Sequence, residues 1–537
     1  MESLKPYLAS YPEGYSHDIN IPNKTMAQLL EETTLEYGDR PATNFYGHKT
    51  TYNKLLQAVK AFSCALQASG IEKGDRVAIM LPNCPQYVIA YYGILRAGAI
   101  VTQINPMLVE RELQFILQDS GSKAIVIFDA LYPKLQAIRG ETSVETAITI
   151  SLQEPFTPPQ PDCSFTEFLI KSQSFTPVSI NPQEDIAVLQ YTGGTTGRSK
   201  GVMLTHRNIV ANVVQTHEFF KNEFENGKER CLTVIPLFHV FGMTSCMNLN
   251  LYRGNELILL PKFDIEEVLH TIQKEKPTAF PGVPTMYVGL TNHPEAEKYG
   301  LDSIRTCNSG SAPMPVELLR EFERKTGGKI LEGYGLSEAS PTTHCNPPFA
   351  DRKPGTVGIG LPGTAYRIVD VATGTKDLKP GELGEVIIKG PQVMKGYWNQ
   401  PEETAVTLRD GWLYTGDIAM VDEDGYLSIV DRKKDMIIAS GYNVYPRDIE
   451  EVLYEHPAVQ EAVVIGVPDA YRGETVKAVI VLKSGRSVTE EELIEFSKAH
   501  LAPYKVPKLI EFRSELPKTN VGKILRRALR EEAAKTK

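Results

Sequence analysis

Tryptophan occurs twice and cysteine seven times in 537 residues, and the longest apolar stretch, near Tyr87–Val101, is broken by Arg96. What remains on either side of that arginine is too short to span a bilayer. The cysteines are odd in number and scattered, with neither a CxxC pair nor a His/Cys spacing suited to zinc. This argues against a disulfide framework and a thiolate metal centre, and the thiols read as reduced packing residues. An excess of basic charge is missing too: 57 Lys and Arg against 66 Asp and Glu leave a formal net charge of −9. Nucleic-acid backbones select the opposite sign, so no nucleic-acid partner is expected. The opening residues, MESLKPYLASYPEGY, lack the basic and apolar blocks of an export signal. The expected location is the cytoplasm, with a peripheral contact at the inner face of the membrane and a homodimer both left open.

A chain with 42% apolar and 23% charged residues can bury a large core, and its length exceeds what one core usually serves. Apolar runs at Val77–Leu81 and Ala124–Phe128 enclose helical patterns at Tyr87–Ala99 and Glu110–Asp119, which predicts a parallel α/β sheet. Residues Ser151–Asp185 carry six prolines and few apolar runs and read as a surface connector. The α/β rhythm returns from Ile186 to about Pro348, with strands predicted at Ile186–Gln190, Leu232–Ile235 and Leu257–Leu260. From Lys353 to Asp431 helical patterns vanish and short strands separated by Gly and Asp-Gly turns predict a β-rich unit. Beyond Arg432 the pattern changes again, to an α+β unit with helices at Pro446–His456 and Thr489–His500 and a basic terminal helix. The expected division is therefore 1–432, subdivided at about 185 and 352, followed by 433–537.

The stretch YTGGTTGRSKGVMLTH, Tyr191–His206, joins glycines, hydroxyls and two cations without one acidic side chain. Gly193, Gly194 and Gly197 allow the backbone to turn tightly and present N–H groups, Thr192, Thr195 and Thr196 add hydroxyls, and Lys200 adds charge, a set suited to a polyphosphate. It is not the GxxxxGK[ST] loop, because Ser199 precedes Lys200 and Gly201 follows it. In EGYGLSEAS, Glu332–Ser340, an aromatic, a hydroxyl and a carboxylate (Tyr334, Ser337, Glu338) lie within five residues, enough to stack a base, touch a phosphate and hold magnesium. YTGD, Tyr414–Asp417, offers a carboxylate for a ribose diol, although by itself it reads as a hairpin corner. DRKKD, Asp431–Asp435, reads by itself as a solvated charge run, and Lys523 in PKTNVGKILRR as part of a basic surface helix.

Together, and in this order, YTGGTTGRSKGVMLTH, PLFHVFG, FPGVPT, SGSAPMP, EGYGLSEASP, GPQVMKGYWN, DGWLYTGD, DRKKDMIIASGYNVYPRDIEEVL and PKTNVGKILRR resemble the adenylate-forming superfamily of acyl-CoA synthetases, luciferases and peptide-synthetase adenylation domains. The look is nearest to bacterial long-chain fatty-acid–CoA ligases and covers essentially the whole length. The resemblance implies an α/β fold with two α/β sheet subdomains, a barrel-like β-rich subdomain and a small mobile α+β C-terminal domain. It implies fatty acid, ATP and CoA as substrates with Mg2+, and two half-reactions through an acyl-adenylate. It further implies that Thr192–Gly197 and Lys200 cradle phosphates, Glu338 holds magnesium, and Ser337, where relatives often carry threonine, meets the α-phosphate. Tyr334 would stack on adenine within Gly333–Gly335, with Gly310, Ser311 and Ala312 along its edge and Glu332 near its amino group. Asp417 would hold the ribose, with Arg432 as a second clamp.

By the same resemblance Lys523 is the mobile catalytic cation and Lys434 the hinge, a position where aspartate is also common. Gly441 and Tyr442 would face CoA. His239, flanked by Phe238 and Val240, would ordinarily be a packed core histidine. The resemblance makes it a gate beside the carboxylate, grouped with the catalytic residues, and places it with Gly282, Val283, Gly310 and Gly335 around the acyl chain. The alternatives are an aryl-CoA ligase and a stand-alone enzyme that loads a carrier protein; PLFHVFG lacks an acidic residue to meet an amino group. None of Lys200, Glu338, Asp417, Arg432 or Lys523 is missing, which argues against a noncatalytic nucleotide-binding protein.

Overall fold

Strands apolar at consecutive positions, such as Arg76–Met80 and Ala124–Phe128, are the kind that parallel sheets bury on both faces, and Val77 to Met80 and Ile125 to Ile127 are indeed fully buried. The computed structural model describes residues 11, 14–152, 156–192, 199–433, 435–439, 442–469, 473–519 and 524–535. The two strands sit inside an eight-stranded sheet whose order is Gly396–Tyr397, Lys200–Thr205, Ile186–Thr192, Ile100–Gln103, Arg76–Met80, Ala124–Phe128, Thr146–Ile150 and Cys163–Ser164. All its pairings are parallel except the two that involve Lys200–Thr205. A second, nine-stranded sheet has the parallel strands Glu256–Leu259, Arg230–Thr233, Ala279–Gly282, Thr306–Ser309 and Lys329–Gly335 at its centre. Its edges are antiparallel: His48–Thr51 pairs Pro41–Phe45 on one side, and Thr342–Cys345 and Ile359–Gly360 follow Lys329–Gly335 on the other.

The sheets cross the division expected near residue 185. Ile186–Thr192 and Lys200–Thr205 complete the first sheet, whereas Pro41–Phe45 pairs with Glu256–Leu259 in the second. Chain order alone could not reveal this, because hydrophobic pattern marks strands and not their neighbours. Two smaller differences concern elements. The connector contains the edge strand Cys163–Ser164 and the short helix Phe165–Leu169, started by a Ser164–Glu167 capping box. The β-rich stretch contains the helix Pro401–Thr407, with proline at its first position and two glutamates in its first turn.

That stretch otherwise forms an antiparallel sheet of Ala365–Val369, Gly384–Lys389, Trp412–Val421, Leu408–Arg409 and Leu427–Arg432. The C-terminal unit packs helices Pro446–Glu455 and Glu490–His500 on a sheet built round Val459–Asp469 and Gly473–Leu482, with Leu509–Phe512 added in parallel. Two helical segments matter for the site. His206–Phe219 begins with a Thr205–Asn208 capping box, and Gly242–Asn248 is a π-helix, a widened turn that recurs at functional sites. No helix among the described residues is long and apolar enough to cross a membrane.

Candidate active site

A cavity of about 700 Å³ opens where the two large sheets, the antiparallel sheet and the π-helix meet. Its volume and mixed lining suit a small-molecule site. Thr192 and Lys200, register partners across the first sheet's hairpin, form one rim. The loop between them includes Gly193, Gly194, Thr195, Thr196 and Gly197, which lie outside the described residues. Lys200 is nearly buried, pairs with Glu403 and lies 5.2 Å from the centre of the Tyr397 ring.

Opposite this rim, EGYGLSEAS runs from the end of strand Lys329–Gly335 into a tight turn at Ser337–Ala339, bringing Tyr334, Ser337 and Glu338 to the cavity. Glu338 Oε1 accepts from the Tyr397 hydroxyl at 2.8 Å. Its Oε2 has no hydrogen bond among the described residues, which also contain no cluster of three potential metal ligands. One free carboxylate oxygen fits magnesium that arrives with substrate phosphates rather than a resident metal caged by protein. Tyr397 and Glu403 were not singled out from the sequence. The only signal was the GPQVMKGYWN motif, which carried the likeness without suggesting a task for its tyrosine.

Asp417 and Arg432 are cross-strand partners in the antiparallel sheet. Asp417 Oδ2 accepts from the Tyr334 hydroxyl at 2.5 Å, and its Oδ1 lies 3.3 Å from Arg432 Nε. YTGD is thus the interior of the ten-residue strand Trp412–Val421 and not a hairpin corner. Gly416 there adopts φ 72°, and its amide donates to Glu385 Oε1 at 3.0 Å, so the backbone rather than space demands glycine. His239 lines the cavity where the chain enters the π-helix; its Nδ1 accepts from the Phe241 amide at 3.3 Å, which leaves the ring proton of a neutral imidazole on Nε2.

Gly310, Ser311, Gly333 and Gly335 also line this cavity, whereas Gly282, Val283, Glu332 and Ala312 do not. Ala312 lines a separate 90 Å³ pocket facing the C-terminal unit, beside Arg447 and Glu450. Val283 is buried as the residue before helix Pro284–Asn292, and a side chain at Gly282 would press on Tyr287. Gly335 touches the cavity, but an added Cβ would run into the Pro341 carbonyl. We expect Gly335→Ala to cost about 1–3 kcal/mol of stability through that backbone clash, read as a lowered melting temperature. A normal melting temperature with only long acids rejected would instead make this glycine an acyl-site residue alone.

Glu332 stands behind the wall, with its carboxylate accepting from the Gly355 amide at 3.1 Å. Burial pushes its pKa from 4.5 up to about 7, against the opposing effect of that amide and of Arg447. Between these two values the folded chain holds a proton that the unfolded chain has released. Its contribution to stability therefore falls as pH rises through that window. Glu332→Gln should raise the melting temperature at pH 8, corresponding to at most about 3 kcal/mol, with the difference vanishing toward pH 4.5. A constant difference across pH would rule out this titration.

DRKKD is not a solvated run. Asp431 is buried, accepts from the amides of Arg432 (2.7 Å) and Arg447 (3.3 Å), and has its pKa pushed up to about 6 by burial. Asp435 pairs with Arg530 at 2.8 Å. Lys434, Gly441 and Lys523 lie outside the described residues, as does the side chain of Tyr442. The structure thus gathers Thr192, Lys200, His239, Gly310, Ser311, Gly333, Tyr334, Gly335, Ser337, Glu338, Asp417 and Arg432 round one cavity.

Two α/β sheets, an antiparallel sheet and a C-terminal α+β unit disposed in this way define an adenylate-forming enzyme fold. The chain belongs to the AMP-binding enzyme family, which matches residues 30–398, while the AMP-binding enzyme C-terminal domain matches residues 448–523. It is 50% identical to a long-chain-fatty-acid–CoA ligase of Bacillus subtilis (strain 168), over 99% of both chains. It is 40% identical to one of Escherichia coli O6:H1, over 98% of both. Among solved structures it resembles the anthranilate CoA ligase AuaEII in complex with anthranoyl-AMP, with 28% identity and a TM-score of 0.88 over 96% of this chain and 98% of that one.

Proposed function

We infer that this protein is an ATP-dependent ligase that activates medium- and long-chain fatty acids and transfers the acyl group to CoA. A carboxylate oxygen attacks the α-phosphorus of ATP and pyrophosphate leaves; the CoA thiol then attacks the acyl carbonyl and AMP leaves. The observation that carries this reading is the continuity of one cavity from a charged end, with Lys200, Glu338, Asp417 and Arg432, to a largely apolar end between the second sheet and the π-helix. A weak nucleophile approaching a polyphosphate needs positioning and charge neutralisation more than a base. Lys200 supplies fixed positive charge. Asp417, held by Tyr334 and Arg432, presents a rigid acceptor for the ribose, and the Nε2–H of His239 can donate to the substrate carboxylate.

Mg2+, when bound with ATP, would be held through Glu338 and would neutralise phosphate charge. Gly441 and Tyr442 belong to the proposal as the CoA side, Lys434 as the hinge, and 433–537 as the domain that moves. AMP release with CoA across C2–C18 straight-chain acids, aromatic acids and amino acids tests the reading. Efficiency should climb from acetate to at least C8–C12, because each buried methylene contributes about 0.8 kcal/mol. A maximum at acetate, or a preference for an aromatic or amino acid over C12, would overturn the fatty-acid assignment. Acid-dependent exchange of pyrophosphate into ATP with no AMP release on adding CoA, and AMP release only when a carrier protein supplies the thiol, would favour a carrier-protein acceptor.

A further inference from the structure

The apolar end of the cavity has a direction. His239 and Gly310 lie just beyond the C-terminal ends of strands Arg230–Thr233 and Thr306–Ser309, next to the charged end. Cys231 and Ala279, register partners near the opposite ends of their strands, line the same cavity. It therefore runs along the sheet face, with Phe224 and Leu249 contributed from the helical side.

Arg253 lines the cavity at that same end of the sheet. It follows helix Leu249–Tyr252, and its carbonyl accepts from the Gly227 amide at 2.8 Å, just before the strand whose first residue, Glu256, pairs with Arg230. The side chain is 2% exposed yet lines the cavity. Its Nε donates to His217 Nδ1 and its Nη2 to the His217 carbonyl, both at 3.1 Å, and the guanidinium carbon is 4.8 Å from the centre of the Phe224 ring. It forms no ion pair among the described residues. Burial lowers its pKa only to about 10, so it stays charged at neutral pH, while burial and the arginine hold His217 neutral at about 4. Two anchors on one residue prevent the guanidinium from swinging aside.

We propose that Arg253 is the length-determining residue of the acyl site: its fixed guanidinium closes the distal end of the cavity and excludes the methyl end of acids longer than the path from His239. This rests on the fatty-acid reading above. A methyl group pressed on a buried cation gains no burial of its own and cuts the cation off from whatever polar neighbours remain, so discrimination should be abrupt. The competing explanation is that Arg253 only ties the end of helix His206–Phe219 to the chain after Leu249–Tyr252. Loss of such a tie would weaken the enzyme toward all acids alike.

The test is a chain-length series from C8 to C18, assayed by CoA-dependent AMP release, for the wild type, Arg253→Ala and Arg253→Met. With octanoic acid as internal reference, Arg253→Ala should raise relative kcat/KM for the acid two carbons beyond the wild-type optimum about tenfold. Arg253→Met, which removes charge but keeps bulk, should shift the profile less and in the same direction. If Arg253→Ala does not fold, the methionine variant alone decides. A long-to-short ratio equal to the wild type's in folded variants overturns the proposal, as does an equal loss for every acid. A wild-type enzyme inactive on all straight-chain acids would show instead that the fatty-acid reading itself had failed, and this inference with it.

Discussion

Lys200→Met should slow acyl-adenylate formation roughly 10²–10³-fold, the usual cost of removing one preorganised charge from a transition state. Lys200 Nζ is paired with Glu403 and faces the Tyr397 ring, so the charge is already oriented before substrate arrives. Removing it leaves the Glu403 carboxylate unneutralised at the rim, where it would repel a polyphosphate. Part of the loss is therefore a new repulsion, and Lys200→Met with Glu403→Gln should recover some of the rate. The two substitutions act on one ion pair, and their effects should fail to add by a measurable margin. Acid-dependent exchange of pyrophosphate into ATP reads the step directly. A loss below tenfold for Lys200→Met, or strictly additive losses in the double variant, would remove this lysine from the phosphate site.

Much of this site was legible because its residues come in short contiguous motifs. EGYGLSEAS delivers Tyr334, Ser337 and Glu338 through one strand end and one turn, so spacing in the chain became proximity in space. Asp417 and Arg432 needed more: they meet only because their strands pair in the register that sets one opposite the other. Register depends on neighbours that a single sequence does not identify. The same limit hid the exchange of strands across residue 185 and the arrival of Tyr397 at Glu338, 59 positions away. Motif membership also overreached. Gly282, Val283 and Ala312 belong to motifs that do reach the cavity, yet Gly282 and Val283 pack behind it and Ala312 lines a separate pocket. Small residues near a pocket are as often required by close backbone approach as by the ligand, and only coordinates separate the two. Arg253 shows the converse. An isolated arginine after LNLY carries no motif, and its position on the cavity wall follows from the return of the chain into the second sheet.

Lys523→Ala should reduce acyl-adenylate formation by roughly 10²–10³-fold, about 3–4 kcal/mol, while leaving most of the rate of thioester formation from pre-formed acyl-adenylate. The two half-reactions make different demands. Attack on phosphorus brings a carboxylate against a polyphosphate and needs a cation that can reach both, a task suited to a compact ammonium on a flexible stem. Attack on the acyl carbonyl releases AMP, and pyrophosphate has already gone. Lys523 lies three positions ahead of Arg526, which is held by Glu450 at 2.6 Å and lies 4.0 Å from Asp431. The Glu450 contact fixes Arg526 on helix Pro446–Glu455 within the C-terminal unit, and the Asp431 contact joins it to the strand that carries Arg432, so this arginine bears on domain placement rather than on either chemical step. Arg526→Met should consequently disturb both half-reactions together, through the relative populations of domain arrangements. Single-turnover measurements of each half-reaction separate the cases. Selective loss of adenylation in Lys523→Ala beside a joint loss in Arg526→Met is the expected pair of results, and equal loss of both steps in Lys523→Ala would deny that this lysine serves phosphorus alone.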